Sequence, residues 1–426
     1  MGEHSVKSTL AAADRDQRAG PDWPPVVVAS VFQTGLNLMR DLIRRGVQAV
    51  GIDYDSHNPG FRSVYGHSYL CPNPDTHPQE WLEFMQSLSR QMGTRPVLIS
   101  AADVFVSAIA AHATALEPYY VFSRSGAGLQ AALATKEQQY ALAEQYGFPS
   151  PRTAYIQSAD QLREFANLAR FPCLLKPRHQ REWETLPDGN RLKGRKLITA
   201  ETREQLLDHY ALTELYRPEV MAQEIIVGPD SAKYCYLSVY ASDGSLLGCC
   251  VVREYRCNPM FFGSATIVEP VVDHEIAALC DTFLRRLNYI GLCEIELKRD
   301  ARDGIVKLIE VNPRFSGTGD CSSYAGVEVG WLHYLDLIGK RPAPMEPTRL
   351  GFYHMMLRSE VAAVPVYLEN RVVTWRELLR TYCRPIEFFD LDWRDLRIAA
   401  RTLYSCVKIV AVYVLRKLGL KSKAPK

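Results

Sequence analysis

The alternation of apolar and polar positions divides the chain into recognisable pieces. Val26 to Ser30 is a short β-branched run, followed by Gly35 and an apolar-periodic stretch through Leu38, Leu42 and Ile43 that stops at Gly46; Val47 to Ile52 is a second run, so the pattern predicts a β-α-β unit. Val97 to Ser100 reads as another buried strand and Phe105 to Ala115 as a helix, which together suggest a small parallel α/β layer. Its first turn, Phe32-Gln33-Thr34-Gly35, lacks the G-x-G-x-x-G spacing of a dinucleotide site. From Lys136 to Tyr146 a helical pattern ends at Gly147, with Pro149 and Pro151 beyond it, and leads into a strand at Thr153 to Ile156. Asp160 to Ala169 reads as a helix, and Cys173 to Lys176 and Lys196 to Thr199 read as strands flanking the turn-rich segment Arg178 to Gly194.

Farther along, Met221 to Val227, Tyr234 to Ala241 and Leu246 to Glu254 are β-rich runs separated by Gly228-Pro229-Asp230 and Asp243-Gly244, a pattern of antiparallel strands. Asp273 to Leu287 reads as an amphipathic helix. Gly291 to Lys298 and Val306 to Val311 read as strands joined at Asp303-Gly304 and followed by the polar loop Asn312 to Asp320.

Length and composition narrow the picture. At 426 residues and 47% hydrophobic, the chain has material for two or three packed units. Lys+Arg 50 against Asp+Glu 48 leaves a formal charge of +2, no general field for nucleic acid. The 11 scattered cysteines form no C-x-x-C and suit reduced thiols in the cytoplasm. No H-E-x-x-H, G-x-S-x-G or G-x-x-x-x-G-K-[ST] occurs, which removes the common hydrolase and P-loop readings.

The chemistry concentrates in Glu296, near the end of one strand, and in Glu310 and Asn312 of Glu-Val-Asn-Pro-Arg on the next. Strand alternation puts Glu310 and Asn312 on one face, and a hairpin brings Glu296 beside them. Two carboxylates so placed repel unless a cation lies between them, and a hard divalent ion that also touches phosphate is the natural occupant. The alternative is an exposed hairpin edge bearing charge for solubility.

Glu-x-Asn-Pro-Arg after an acid-bearing strand resembles the magnesium-binding end of ATP-grasp enzymes. The resemblance implies an α/β and α+β architecture: an ATP-grasp fold with an N-terminal Rossmann-like (pre-ATP-grasp) domain and a short C-terminal extension. It divides the chain into a disordered tail (1–24), the N-terminal α/β domain (25–124), a first ATP-grasp subdomain with its lid (125–222), a second with the Mg-ATP site (223–345) and the extension (346–426). It implies that Lys136 and Lys176, in Leu174-Leu175-Lys176-Pro177, hold ATP phosphates. In the hinge-like run Gln223-Glu224-Ile225-Ile226-Val227-Gly228-Pro229-Asp230, the Gln223 side chain and the Ile226 backbone would meet adenine and Asp230 would meet ribose. Glu296, Glu310 and Asn312 would bind magnesium, with manganese as a substitute. The segment 178–194 would be the lid, with Lys193, Arg195 or Lys196 closing over phosphate.

Within the superfamily, Arg253-Glu254-Tyr255-Arg256, Pro259 and Phe262-Gly263-Ser264-Ala265-Thr266 are similar to the predicted carboxylate-amine ligases. That similarity implies that Arg314 faces the γ-phosphate or acyl phosphate, and that Arg256, with Arg253 second, grips the acid substrate. An ion pair of Arg253 with Glu254 or Glu269 is the competing reading. Glu294 stands where some ATP-grasp ligases place an arginine, and its simplest reading is a salt bridge on its own sheet face.

The expected activity is joining a small carboxylate to an amine through an acyl phosphate, releasing ADP and phosphate. The alternatives are a small-molecule kinase, a carboxylating enzyme, or a nucleotide-binding protein without turnover. Trp393-Arg394-Asp395 leads into Leu396 to Leu418, an apolar stretch interrupted by Arg397, Arg401, Lys408, Arg416 and Lys417. Packing on the body or on the second subunit of a homodimer, a helix lying on the inner face of a membrane, and a true span are its three readings.

Overall fold

The computed structural model describes residues 20–418 except 21, 127, 134, 178–181 and 217–218. It separates into two compact units: one of residues 1–134, 233–296 and 311–426, the other of residues 135–232 and 297–310.

In the first unit, β1 (Val26–Ala29) is buried along its whole length, as an inner strand of a parallel sheet must be. It is followed by α1 (Gln33–Arg44), β2 (Ala49–Asp53), β3 (His67–Leu70), α2 (Pro78–Met92), β4 (Val97–Ser100) and α3 (Asp103–Ala111). The sheet order is β3-β2-β1-β4 and its pairings are parallel. At the β1-α1 turn a Cβ on Gly35 would lie 1.9 Å from the Ser30 carbonyl oxygen, so glycine there lets the helix start pack directly on the strand end. Trp23 stacks on Trp331 at 5.8 Å and Pro24 accepts a hydrogen bond from the Tyr334 hydroxyl, so the expected tail to residue 24 gives way by Trp23 to packed chain. Residues 1–19 of that expected tail lie outside the described residues.

The second unit opens with α4 (Lys136–Gln145) and continues through β5 (Thr153–Ile156), α5 (Ala159–Leu168), β6 (Cys173–Pro177), β7 (Ile198–Ala200), α6 (Arg203–Ala211) and β8 (Val220–Glu224). Its antiparallel sheet has the order β5-β8-β6-β7. Leu162, Phe165, Leu175, Leu206 and Tyr210 form its core. The expected lid segment contributes to that core: Trp183, Leu186 and Leu192 are buried in it, while residues 178–181 lie outside the described residues. Three large apolar anchors fix residues 183–192 much more firmly than their charged composition suggests.

The chain then returns to the first unit with β9 (Lys233–Tyr240), β10 (Leu246–Asn258), β11 (Ser264–Val271) and α7 (His274–Arg286). β12 (Gly291–Arg299) and β13 (Val306–Asn312) each run from one unit's residues into the other's. After them come α8 (Gly319–Tyr324), α9 (Val329–Leu337), β14 (Tyr353–Met355), α10 (Leu357–Glu369), α11 (Trp375–Tyr382), β15 (Ile386–Phe388) and α12 (Leu396–Lys417). The seven-stranded sheet has the order β13-β12-β9-β10-β11-β14-β15. Residues 346–426 therefore do not stand apart, because β14 and β15 extend the sheet beyond β11. α12 packs on α10, and its buried residues are Ile398, Ala399, Thr402 and Cys406.

Candidate active site

In the second unit, Thr135 caps α4 by accepting a hydrogen bond from the Gln138 amide, which places Lys136 in the first turn. Its Nζ lies 2.8 Å from Glu310 Oε2 on β13. The Tyr140 hydroxyl donates to the Ile309 carbonyl and the Leu308 amide to the Pro149 carbonyl, each at 2.8 Å, so the helix and the turn after it are stitched to the strand bearing Glu310. Lys176 is half-buried near the end of β6. Burial, followed by repulsion from Lys136 and opposed by Glu310, lowers its ammonium pKa to about 7. The two lysines and the first acid of Glu-Val-Asn-Pro-Arg therefore share one electrostatic environment, with more positive charge than Glu310 alone neutralises.

The predicted hinge is built into the same unit. Gln223 Nε2 donates to Thr153 Oγ1 at 2.8 Å, and Glu224 accepts from the Arg170 amide at 2.8 Å. The Ile225 amide bonds the Pro172 carbonyl, and Val227 accepts from the Ala301 amide, both at 2.9 Å, which fixes the chain on either side of Ile226. Asp230 is buried at the start of a short 3-10 turn. The Glu224 carboxylate thus anchors backbone. Lys196 is exposed, and Lys193 pairs with Asp188 at 2.6 Å.

In the first unit, Asn312 Nδ2 donates to Glu294 Oε2 at 3.0 Å and to Glu296 Oε1 at 3.1 Å, drawing two carboxylates onto one amide. Glu294 also accepts from Thr318. Arg314 Nε and Nη2 reach Asp103 at 2.5 and 3.1 Å, and Nη2 lies 3.3 Å from Asn312 Oδ1. Burial depresses the Arg314 pKa, but the hydrogen bond and charge of Asp103 outweigh it and hold the guanidinium firmly cationic. The donors Glu296 and Asn312 fit a hard cation, since both present oxygen and the amide can turn its Oδ1 inward. Among the described residues no three His, Cys, Asp or Glu side chains form a ready metal cluster.

Arg256 corrects the sequence reading. It is 3% exposed and donates through Nε to Glu360 Oε1 at 2.8 Å and again through Nη2; Glu360 also accepts from Thr266 at 2.6 Å and Tyr382 at 2.8 Å. Its fork is spent on a buried clamp, leaving nothing to grip a substrate acid. The reason is a register slip between Glu254 and Arg256 on β10, where an extra residue breaks alternation. Arg253 lies opposite Glu269 on β11 and 5.4 Å from the Tyr255 ring centroid.

Three contributors escaped the sequence reading. Glu294 joins Glu296 on Asn312. Asp103 at the start of α3 orients Arg314, and only the fold brings it there from 211 residues away. Arg302 bonds the Ile225 carbonyl at 2.9 Å while Asp300 holds it, so the β12-β13 turn positions the hinge. The turn-forming Asp303-Gly304 was the only signal of this.

No protein-family model matches the chain. It is 25% identical over 225 residues to a D-aspartate ligase of Enterococcus faecium, covering 51% of this chain and 53% of that one. It is 26% identical over 195 residues to the carbamoyl phosphate synthase large chain of Gemmatimonas aurantiaca, covering 43% and 16%. It thus spans about half of one curated relative and a sixth of the other. Among solved structures, N5-carboxyaminoimidazole synthetase of Staphylococcus aureus aligns at TM-score 0.60 and 12% identity over 81% of this chain and 86% of that one. Biotin carboxylase of Campylobacter jejuni, solved with an ATP analogue, aligns at 0.59 and 13% over 77% and 74%.

Proposed function

We propose, from its likeness to ATP-grasp enzymes, that the chain is an ATP-dependent carboxylate-amine ligase of the ADP-forming type. The single observation that carries the reading is the Lys136-Lys176-Glu310 cluster: two lysines beside one carboxylate, the buried one shifted toward its neutral form by burial and by its neighbour's charge, an arrangement in which a polyphosphate would hold both lysines charged. The relative named for ligating D-aspartate favours an amino acid as one of the substrates.

In this reading Lys136 and Lys176 hold the ATP phosphates. Gln223 and the Ile226 backbone meet the base, with Asp230 on the ribose. Glu296, Glu310 and Asn312 would hold magnesium, or manganese in its place, which supplies charge neutralisation for the phosphates when bound. A substrate carboxylate oxygen attacks the γ-phosphorus as the bond to ADP breaks. The amine nitrogen then attacks the acyl carbon, the carbon-oxygen bond to phosphate breaks, and the amine gives up a proton. Arg314, kept cationic by Asp103, stabilises charge on the transferring phosphoryl group. With Arg256 committed to Glu360, Arg253 is the remaining arginine of the pair proposed for the acid. The eleven free cysteines suit a reducing, cytoplasmic setting.

A second reading is a carboxylating enzyme, favoured by the fold neighbours named for carboxylation. Incubation with Mg-ATP, hydroxylamine and a panel of amino and hydroxy acids separates them. A hydroxamate with stoichiometric ADP is expected; a stable phosphorylated acid, bicarbonate-dependent ADP release, or tight ATP binding without ADP under every acid would overturn the ligase reading.

A further inference from the structure

α12 has three faces. Counting about 100° per residue, Leu396, Leu403, Val407, Val410, Val414 and Leu418 fall within an arc of about 80°. All six are exposed, from 39% at Leu403 to 67% at Leu396 and Val407. Ile398, Ala399, Thr402 and Cys406 form a second face, buried. Arg397, Arg401 and Lys408 lie about 100–140° from the centre of the exposed apolar arc, along the border that the buried face does not occupy. Arg416 and Lys417 follow in the last turn, the helix holds no acidic residue, and the sequence beyond it adds Lys421, Lys423 and Lys426. Against a whole-chain charge of +2, this is a strong local concentration of positive charge.

We propose that α12 docks the chain flat onto an anionic lipid surface, its exposed apolar arc entering the headgroup boundary and its basic border meeting lipid phosphates. Cations at the edge of an apolar face can sink their methylene stems while the charged heads reach headgroups, whereas the same cations opposite that face could not. The absence of any carboxylate along 22 residues selects an anionic partner. By length and composition alone the helix could cross a bilayer. Spanning, however, would strip its inner face from α10, break the Tyr413 hydroxyl and Lys417 contacts to Glu369 at 3.0 and 2.7 Å, and carry Lys408 into hydrocarbon. Lying flat preserves all of these. Trp393, 63% exposed just before the helix, is an aromatic of the kind that sits at headgroup depth.

The test is flotation of the full chain with vesicles of phosphatidylcholine alone or with a phosphatidylglycerol fraction of about one third, at low and at high salt. Binding to the anionic vesicles at low salt is expected, weakening with salt. Val407→Glu/Val414→Glu and, separately, Arg397→Glu/Lys408→Glu should each reduce it by about tenfold or more, with thermal midpoint and ATP binding unchanged because all four side chains are exposed. Absence of anionic-vesicle binding by the unaltered chain, equal binding by the variants, or a concentration-dependent dimer that Val407→Glu/Val414→Glu dissolves without any vesicle binding would overturn the proposal, the last by assigning the face to a second copy.

Discussion

Two charged clusters in the second unit use the same residue types to opposite ends. Asp300 is fully buried, which by itself would raise its pKa, yet Arg302 grips it through Nε and Nη2 and Lys307 adds a contact at 2.8 Å, so its carboxyl is held well below the usual range. Every charge there has its partner. At Lys136 and Lys176, among the described residues, one carboxylate pairs with the first lysine and acts through its charge on the second, whose pKa burial lowers to about 7. The first cluster is complete in the chain as it stands; the second is complete only when further negative charge arrives. The contrast separates a charge that holds the fold from a charge that waits for a ligand.

The largest effect should come from breaking the saturated cluster. Asp300→Ala leaves Arg302 and Lys307 without their shared partner and should cost about 3–5 kcal/mol of stability, read from denaturant unfolding. Arg256→Ala, which strips the buried Glu360 of its counter-charge in the other unit, belongs in the same range. In the unsaturated cluster, Lys136→Ala or Lys176→Ala should leave folding nearly intact and remove about 1.5–3 kcal/mol of phosphate interaction, slowing ADP release by roughly one to two decades. If Lys136→Ala unfolds the chain and Asp300→Ala does not, the contrast is inverted.

Lys176→Met sharpens the comparison further: it should raise stability, by on the order of 1 kcal/mol after allowing for the side chain's partial exposure, while weakening nucleotide binding by roughly one to two decades. The pH dependence follows in sign. Lys176 has a lower pKa folded than unfolded, so the unfolded chain binds more protons between about pH 7 and the ordinary lysine value of 10.5, and this group's contribution to stability rises with pH across that window. Asp300 has the same sign in an acid window: its stabilisation is complete above the unfolded carboxylate pKa and is lost as pH falls through the folded one. Unfolding titrations of the two single variants against the unaltered chain check both signs.

Much of this was readable before any coordinates. β4 and β5 fall on their predicted residues, and α4 begins at Lys136 as its pattern requires. Long periodic segments and capped helices carry local signals. β14 and β15 are three residues each and exist only because the sheet edge at β11 accepts them, so no local pattern marks them. α2 carries a local signal as well, since Trp81, Leu82, Met85 and Leu88 give it an apolar face. Arg256 was misplaced because a register slip is invisible to a period-2 reading, and Glu294 was set aside because sequence does not say which two acids one asparagine will bridge. The lid segment misled through composition: its charges dominate the count, but Trp183, Leu186 and Leu192 determine its packing.

The most direct test is calorimetric titration of Mg-ATP into the unaltered chain and Lys176→Met at pH 8, repeated in two buffers of different ionisation enthalpy. The nucleotide-free chain carries Lys176 largely neutral at that pH, so binding should take up close to one proton per ATP, and Lys176→Met should lose both the proton and most of the affinity. Equal affinity and no proton uptake in both proteins would contradict the assignment of this lysine pair to the nucleotide phosphates.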